Sequence, residues 1–181
     1  MPRQSHCVGG DRNSMEKKST ESKFEPQTCR CACGKSAVIV KAKPRMRYYC
    51  HCLTCQEVCQ SDFSDNTALR FEEVEITAGS DIEFKKYEKN GVVERGVCNV
   101  CRTPVVDFAQ LLPGIKAAFV PGNLYPDQLA LPKPNRHIFY HRRTSDVPDS
   151  LKKHSGAFSS QVIMVPSMMF SMLRKPRVVD A

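Results

Sequence analysis

Short β-branched or alternating apolar segments recur along this chain, and that pattern belongs to strands rather than helices. Residues 37–42, Ala37-Val38-Ile39-Val40-Lys41-Ala42, are β-branched at the centre and stop before Pro44, which predicts a strand. Residues 46–49 predict a second strand that runs directly into Cys50. Residues 69–71 and 74–77 alternate and end at Ala78-Gly79. Residues 82–87 and 92–97 flank Glu88-Lys89-Asn90-Gly91. Asn-Gly is a strong hairpin turn because both residues tolerate positive φ. Such a hairpin delivers Cys98 at the end of its second strand. Residues 105–108, 117–120 and 137–140 predict three more strands. Helical signal is weak: residues 53–60 predict a short helix and residues 126–129 a turn. The class is mainly β, with no internal repeat.

The two ends depart from this pattern. Residues 1–26 are polar, rich in Ser, Lys and Glu, and lack an apolar period, which predicts a disordered arm. Residues 156–181 form a tail whose stretch 161–170 is apolar but broken by Pro166. Covering a sheet edge, binding a partner and staying loose are all open to it. Between the ends, residues 27–155 suit one domain, in keeping with a length of 181 residues.

Net charge is +8, and the basic excess lies largely at the ends, with Lys152, Lys153, Arg174, Lys175 and Arg177 among residues 151–181. Basic tails attract nucleic acid through a salt-sensitive field. There is no tryptophan, however, and no stacking set among the basic residues. The N-terminus has no apolar stretch of the kind a secretory signal needs, and no apolar run approaches the ~18 residues of a membrane helix. The expectation is a reducing intracellular setting, cytoplasmic with the nucleus as alternative. Clustered cysteines there are more often metal ligands than disulfides.

Nine of the ten cysteines fall between Cys29 and Cys101. Cys31 and Cys33 form one short-spaced pair and Cys98 and Cys101 another. Together they offer four thiolates, which close a tetrahedron around zinc. The site would staple the start of the first strand to the end of the hairpin, with Gly34 allowing a tight turn around the metal. Buried or redox-active thiols are the rival reading. Cys50, Cys52 and Cys55 offer three sulfurs, and three protein ligands leave a position open for a substrate. A thiol entering that position is held as thiolate, suited to attack an electrophilic carbon. His51 would close the site as a ligand; it reads better as a neighbour of the site. Cys59 would also close it if the segment is helical, and is alternatively a free or redox-sensing thiol. Cys29 and Cys7 read as spare thiols. Lys43, Arg45 and Arg47 are candidates for a cationic pocket, or else a solvated strand end.

These residues resemble the family of glutathione-dependent formaldehyde-activating enzymes, which includes the centromere protein V group. The matching text is Cys31-x-Cys33-Gly34, then Tyr49-Cys50-His51-Cys52-x-x-Cys55, Asp62-Phe63, and Cys98-x-x-Cys101 followed by Thr103-Pro104. Pro121-Gly122-Asn123-Leu124 and residues 134–139 resemble later blocks, so the resemblance covers roughly residues 28–155. It implies coiled, tent-like antiparallel sheets organised around two zinc ions. It implies structural zinc on Cys31, Cys33, Cys98 and Cys101 and catalytic zinc on Cys50, Cys52 and Cys55. It implies carbon–sulfur lyase activity, joining glutathione and formaldehyde as S-hydroxymethylglutathione and reversing that reaction. Two departures stand out. Cys59-Gln60 replaces the family's usual small hydroxyl residue and glycine, and Arg102 replaces the usual glycine after the last cysteine. The alternative function is a non-enzymatic zinc module that uses basic tails to bind nucleic acid or a protein partner. The partner predicted by the enzyme reading is a small thiol such as glutathione, with no membrane involved.

Overall fold

The computed structural model describes residues 24–89 and 91–173. The predicted disordered arm therefore falls almost wholly outside the described residues, as do Cys7, Asn90 and the end of the basic tail.

Two sheets form. The small one has the order β1 (Gln27–Arg30), β2 (Ala37–Val40), β5 (Val74–Ile76), all antiparallel. The large one has eight strands: β11 (Lys152–Lys153), β10 (Arg136–Ile138), β3 (Met46–Cys50), β4 (Ser64–Arg70), β9 (Ile115–Pro121), β8 (Pro104–Leu112), β7 (Val93–Cys98) and β6 (Ile82–Lys85). Its pairs are antiparallel except that β10 runs parallel to β3 and β11. Two α-helices complete the described residues, α1 (Leu53–Cys59) and α2 (Ala157–Leu173). The mainly β expectation is met.

The large sheet is buried on both faces. Along β9, Ala118 and Val120 enter a core shared with the small sheet, through Val38, Val40, Leu69 and Val106. Ala117 and Phe119 enter a second core, with Tyr48, Ala68, Ala109 and three methionines of α2. Successive strand residues point to opposite faces. Double burial is thus why residues 117–120 read as an unbroken apolar run.

The apolar tail is a helix covering a sheet face, not an edge. Ser160, Met164, Met168 and Met172 recur every four residues and are all buried, which is the period of one helix face. Burying three methionines contributes on the order of 5 kcal/mol. The ends of α2 are tied down: the Phe139 N–H donates to Ser160 Oγ at 2.8 Å, and Arg70 Nη1 donates to the Met172 carbonyl at 2.6 Å. Pro166 lies inside this helix and supplies no donor for the preceding turn. No helix among the described residues is long and apolar enough to cross a membrane.

Three strands are not fully legible in the sequence. β1 and the two-residue β11 give no strand signal, and β4 shows only at its end, because Ser64, Asp65, Asn66 and Thr67 look like loop. β4 is nevertheless interior to the sheet. Thr67 Oγ1 donates to the Val120 carbonyl at 2.7 Å and lies 2.8 Å from the Tyr125 hydroxyl, while Asn66 Nδ2 donates to Ser64 Oγ at 2.6 Å. Buried polar groups are tolerated where such partners exist. The predicted hairpin forms as β6 and β7, joined through residues 86–92, of which Asn90 lies outside the described residues.

Candidate metal centres and the cavity beside one of them

The four-sulfur group assembles from two turns. Cys31 ends the run out of β1, and the chain turns through Gly34 at φ +76°, where the Gly34 N–H donates to the Cys31 carbonyl at 3.0 Å. Gly34 plays its expected part, since glycine adopts this backbone without strain. Cys98 ends β7 after a bulge at Gly96/Val97. The following turn closes through Arg102 N–H to the Cys98 carbonyl at 2.9 Å and brings in Cys101. The sulfurs of Cys31, Cys33, Cys98 and Cys101 all lie within 4.8 Å of one another. Cys31 Sγ is 3.5 Å from Cys33 Sγ, which is 3.7 Å from Cys98 Sγ. Zinc–sulfur bonds of ~2.3 Å in a tetrahedron imply sulfur–sulfur edges of ~3.8 Å, whereas a disulfide needs ~2.05 Å. The donor set and spacing fit zinc. The Ser36 N–H donates to Cys31 Sγ at 3.2 Å, and Thr103 lies against Cys101. Hydrogen bonds from the Thr103 hydroxyl and backbone pull the Cys101 thiol down to about 5.

The three-sulfur group is local. Cys50 ends β3, Cys52 caps the N-terminus of α1, and Cys55 lies in its first turn. Their sulfurs also lie within 4.8 Å of one another. Cys52 Sγ accepts from the Cys55 N–H at 3.4 Å, and hydrogen bonds from Cys50 and Cys55 pull its thiol down to about 3. A thiolate here is what a metal requires, and among the described residues neither His51 nor Cys59 joins this group. Burial pushes both Cys59 and the spare Cys29 up to about 12. Burial thus works against the thiolate form at both positions.

Two supports of this cluster escaped the sequence reading. Arg95 on β7 and Asp107 on β8 stand opposite each other in the sheet and form a buried ion pair. Arg95 Nη2 also lies 3.6 Å from Cys55 Sγ, which places a fixed cation beside the sulfurs. An aspartate within the apolar run Val105-Val106-Asp107-Phe108 was the available signal, because a buried acid needs a partner. The second support is a chain of three side chains. His51 Nε2 lies 2.8 Å from His137 Nδ1, and His137 Nε2 lies 2.8 Å from Asp149 Oδ2. Both imidazoles are fully buried, among Tyr49, Phe63 and Tyr140. His51 is thereby held between two ligand positions as a brace. Burial, with His137 beside it, brings it down to about 4, so it is neutral.

A cavity of about 490 Å3 opens on the three-sulfur cluster, with Cys50, Cys52 and Cys55 on its wall. The predicted cationic pocket is not there. Arg45 pairs with the buried Glu73, Arg47 pairs with Asp65 and donates to Gln128, and Lys43 lines a separate depression near Phe24. The antiparallel pairing of β3 with β4 explains this, because Arg47 lies beside strand residues that supply its acid. Of the basic residues among 151–181, Lys153 is drawn to Asp149 and lies over the Tyr140 ring.

The two departures share a backbone cause. Gln60 has φ +48° and Arg102 φ +59°. Both are left-handed positions, where glycine is the unstrained residue. They also line one further cavity, of about 420 Å3, together with Cys59 and Cys101.

The mainly β sheets thus present one four-thiol group and one three-thiol group, each able to hold a metal ion, the second facing a cavity. The model of the glutathione-dependent formaldehyde-activating enzyme family matches residues 26–142, and the chain belongs to that family. A Rhodobacter sphaeroides protein of known structure is similar over 54% of this chain and 85% of its own, at 12% identity and a TM-score of 0.42. No curated protein is significantly similar to the chain.

Proposed function

We propose that this protein is a zinc-dependent carbon–sulfur lyase, joining a thiol to a small aldehyde and cleaving the adduct. One observation carries the reading: a cluster of three sulfurs, one ligand short of a closed tetrahedron, opens on a cavity large enough for a small molecule. Family membership supports it, the family's name giving glutathione and formaldehyde as the reference pair.

In this reading Cys31, Cys33, Cys98 and Cys101 hold a structural zinc, and Cys50, Cys52 and Cys55 hold a catalytic one, within a domain of residues 27–155. Zinc held by the second set would supply a position at which a substrate thiol is ionised. The chain does the rest. Cys50 and Cys55, buried at the end of β3 and in α1, fix where that position lies. Arg95, anchored by Asp107, offsets the negative charge gathered on the sulfurs. The His51–His137–Asp149 chain keeps the Cys50–Cys52 turn in place. The thiol sulfur forms a bond to the aldehyde carbon, and the carbonyl π pair moves to oxygen, which gains the proton lost by the thiol. The reverse cleaves that bond. Nine free cysteines among the described residues suit a reducing compartment, cytoplasmic or nuclear.

The test is exchange spectroscopy by NMR on labelled formaldehyde and glutathione, with the zinc-loaded protein and after mild chelation. The expected result, with glutathione or with a thiol of another kind, is exchange faster than the spontaneous rate, lost with the chelatable zinc. Exchange at the spontaneous rate, with thiols of other kinds equally unaffected and two zincs bound, would sink the lyase reading.

A further inference from the structure

One wall of the cavity is built by α2. Ala157, Gln161, Met164, Val165 and Met168 all face it. They lie beyond residues 26–142, so this wall is added to the part of the chain that carries the family pattern. Tyr48, Leu111, Phe119 and Ile138 continue an apolar surface from α2 toward the cluster.

Charge is scarce on this surface. Among the described residues lining the cavity, only Arg95 and Glu88 are charged. Arg95 is committed to Asp107 and to Cys55, and Glu88 accepts from the Thr54 hydroxyl at 3.3 Å. A peptide thiol carrying two carboxylates would meet no uncommitted cation on this wall, and one acid. Leaving such groups desolvated and unpaired is costly. An alkyl chain meets the opposite situation. Met164 and Met168 are unbranched, polarizable side chains that conform to an apolar ligand.

We propose that the substrate of this cavity carries an alkyl chain lying along the inner face of α2, so that α2 is the specificity-determining element and the thiol is an alkyl thiol. The thiol part rests on the lyase reading above; the alkyl part rests on the cavity wall alone.

The experiment is calorimetric titration of the zinc-loaded full chain with ethanethiol, butanethiol, hexanethiol, hexan-1-ol and glutathione. Affinity is expected to rise about fourfold per added methylene along the thiol series, with hexanethiol above both hexan-1-ol and glutathione. Met164→Glu should weaken hexanethiol at least tenfold and leave ethanethiol nearly unchanged. Val165→Glu, at a position 56% exposed, tests the same wall if the first variant does not fold. A flat thiol series, or glutathione binding as tightly as hexanethiol, overturns the proposal and leaves the lyase reading standing. Hexan-1-ol matching hexanethiol, with both weakened by the variants, keeps the alkyl site and removes the thiolate reading. No binding by either hexyl compound overturns the proposal outright.

Discussion

The two sulfur clusters are made of the same atoms and do opposite things to the chain. The four-sulfur cluster joins residues far apart in sequence, a turn after β1 and a turn after β7. The three-sulfur cluster joins only Cys50 to Cys55, a few residues of one strand end and one helix start. The first closes a long loop and ties the small sheet to the large one; the second adds almost no connectivity. The second alone turns all its members toward a cavity of substrate size. Ligand number and loop length thus vary together. On the proposed reading, the closed, long-range cluster stabilises the fold, and the open, local one is left free for chemistry.

Removing one sulfur from each cluster is the strongest way to break that contrast. Structural zinc contributes ~10–16 kcal/mol in small zinc peptides, as much as a whole domain's net stability. Cys98→Ser should therefore fail to accumulate as folded, soluble protein, read by yield, circular dichroism and elemental analysis. Cys52→Ser should stay folded while losing one of two zincs, because serine is itself a good N-cap for α1. Two variants with equal stability and equal zinc would erase the division of roles.

Arg95→Met sharpens the comparison by isolating what the open cluster borrows from the sheet. It leaves Asp107 buried without its cation, which costs ~3–5 kcal/mol. Urea unfolding should show that loss, and Asp107→Leu in the same chain should recover most of it. The zinc affinity lost with Arg95 should not return in the double variant, because the charge beside Cys55 is still missing.

His137→Ala removes the brace behind the Cys50–Cys52 turn and leaves the buried His51 short of its partner, at ~1–3 kcal/mol. The effect depends on pH. Burial raises the Asp149 carboxyl, but hydrogen bonds from His137 and from the Leu151 N–H outweigh this and hold it below its ordinary range. A depressed carboxyl stabilises the fold above its ordinary value and loses that contribution as pH falls through the depressed one. The gap between wild type and variant should therefore narrow below about pH 4, measured as unfolding midpoints across pH. A constant gap would mean that Asp149 is not part of the brace.

The smallest expected change is a gain. Gln60→Gly relieves a left-handed backbone at the C-terminal cap of α1 and should raise stability by about 0.5–1 kcal/mol, after the added freedom of the unfolded chain is counted. Thermal melts would register it, with zinc content unchanged.

Much of the architecture is legible from residue order because local chemistry settles it. A β-branched run bounded by proline makes β2, an apolar alternation running into Cys50 makes β3, and the short helix of Cys55 and Cys59 follows from its place after the cysteines. The spacing Cys31-x-Cys33 with Cys98-x-x-Cys101, and the Cys50 to Cys55 run, predicted both clusters as the structure assembles them. β4 escaped notice because its polar residues are satisfied by strands that arrive later in the chain. Arg45 and Arg47 were misread because their acids, Glu73 and Asp65, are strand and turn neighbours only after folding.

The sequence by itself therefore determined what is set by spacing: the β class, the two cysteine groups, the tight turn at Gly34 and the sites of departure at Gln60 and Arg102. The tertiary structure alone decided what depends on distant segments meeting. It put Arg95 and Asp107 across one ladder beside Cys55, joined His51 to His137 and Asp149, and folded the apolar tail over the cavity as α2. The reason is physical. A metal-ligand spacing is a property of a few consecutive residues, whereas the environment of a thiolate is made by side chains that sheet pairing and helix docking bring together.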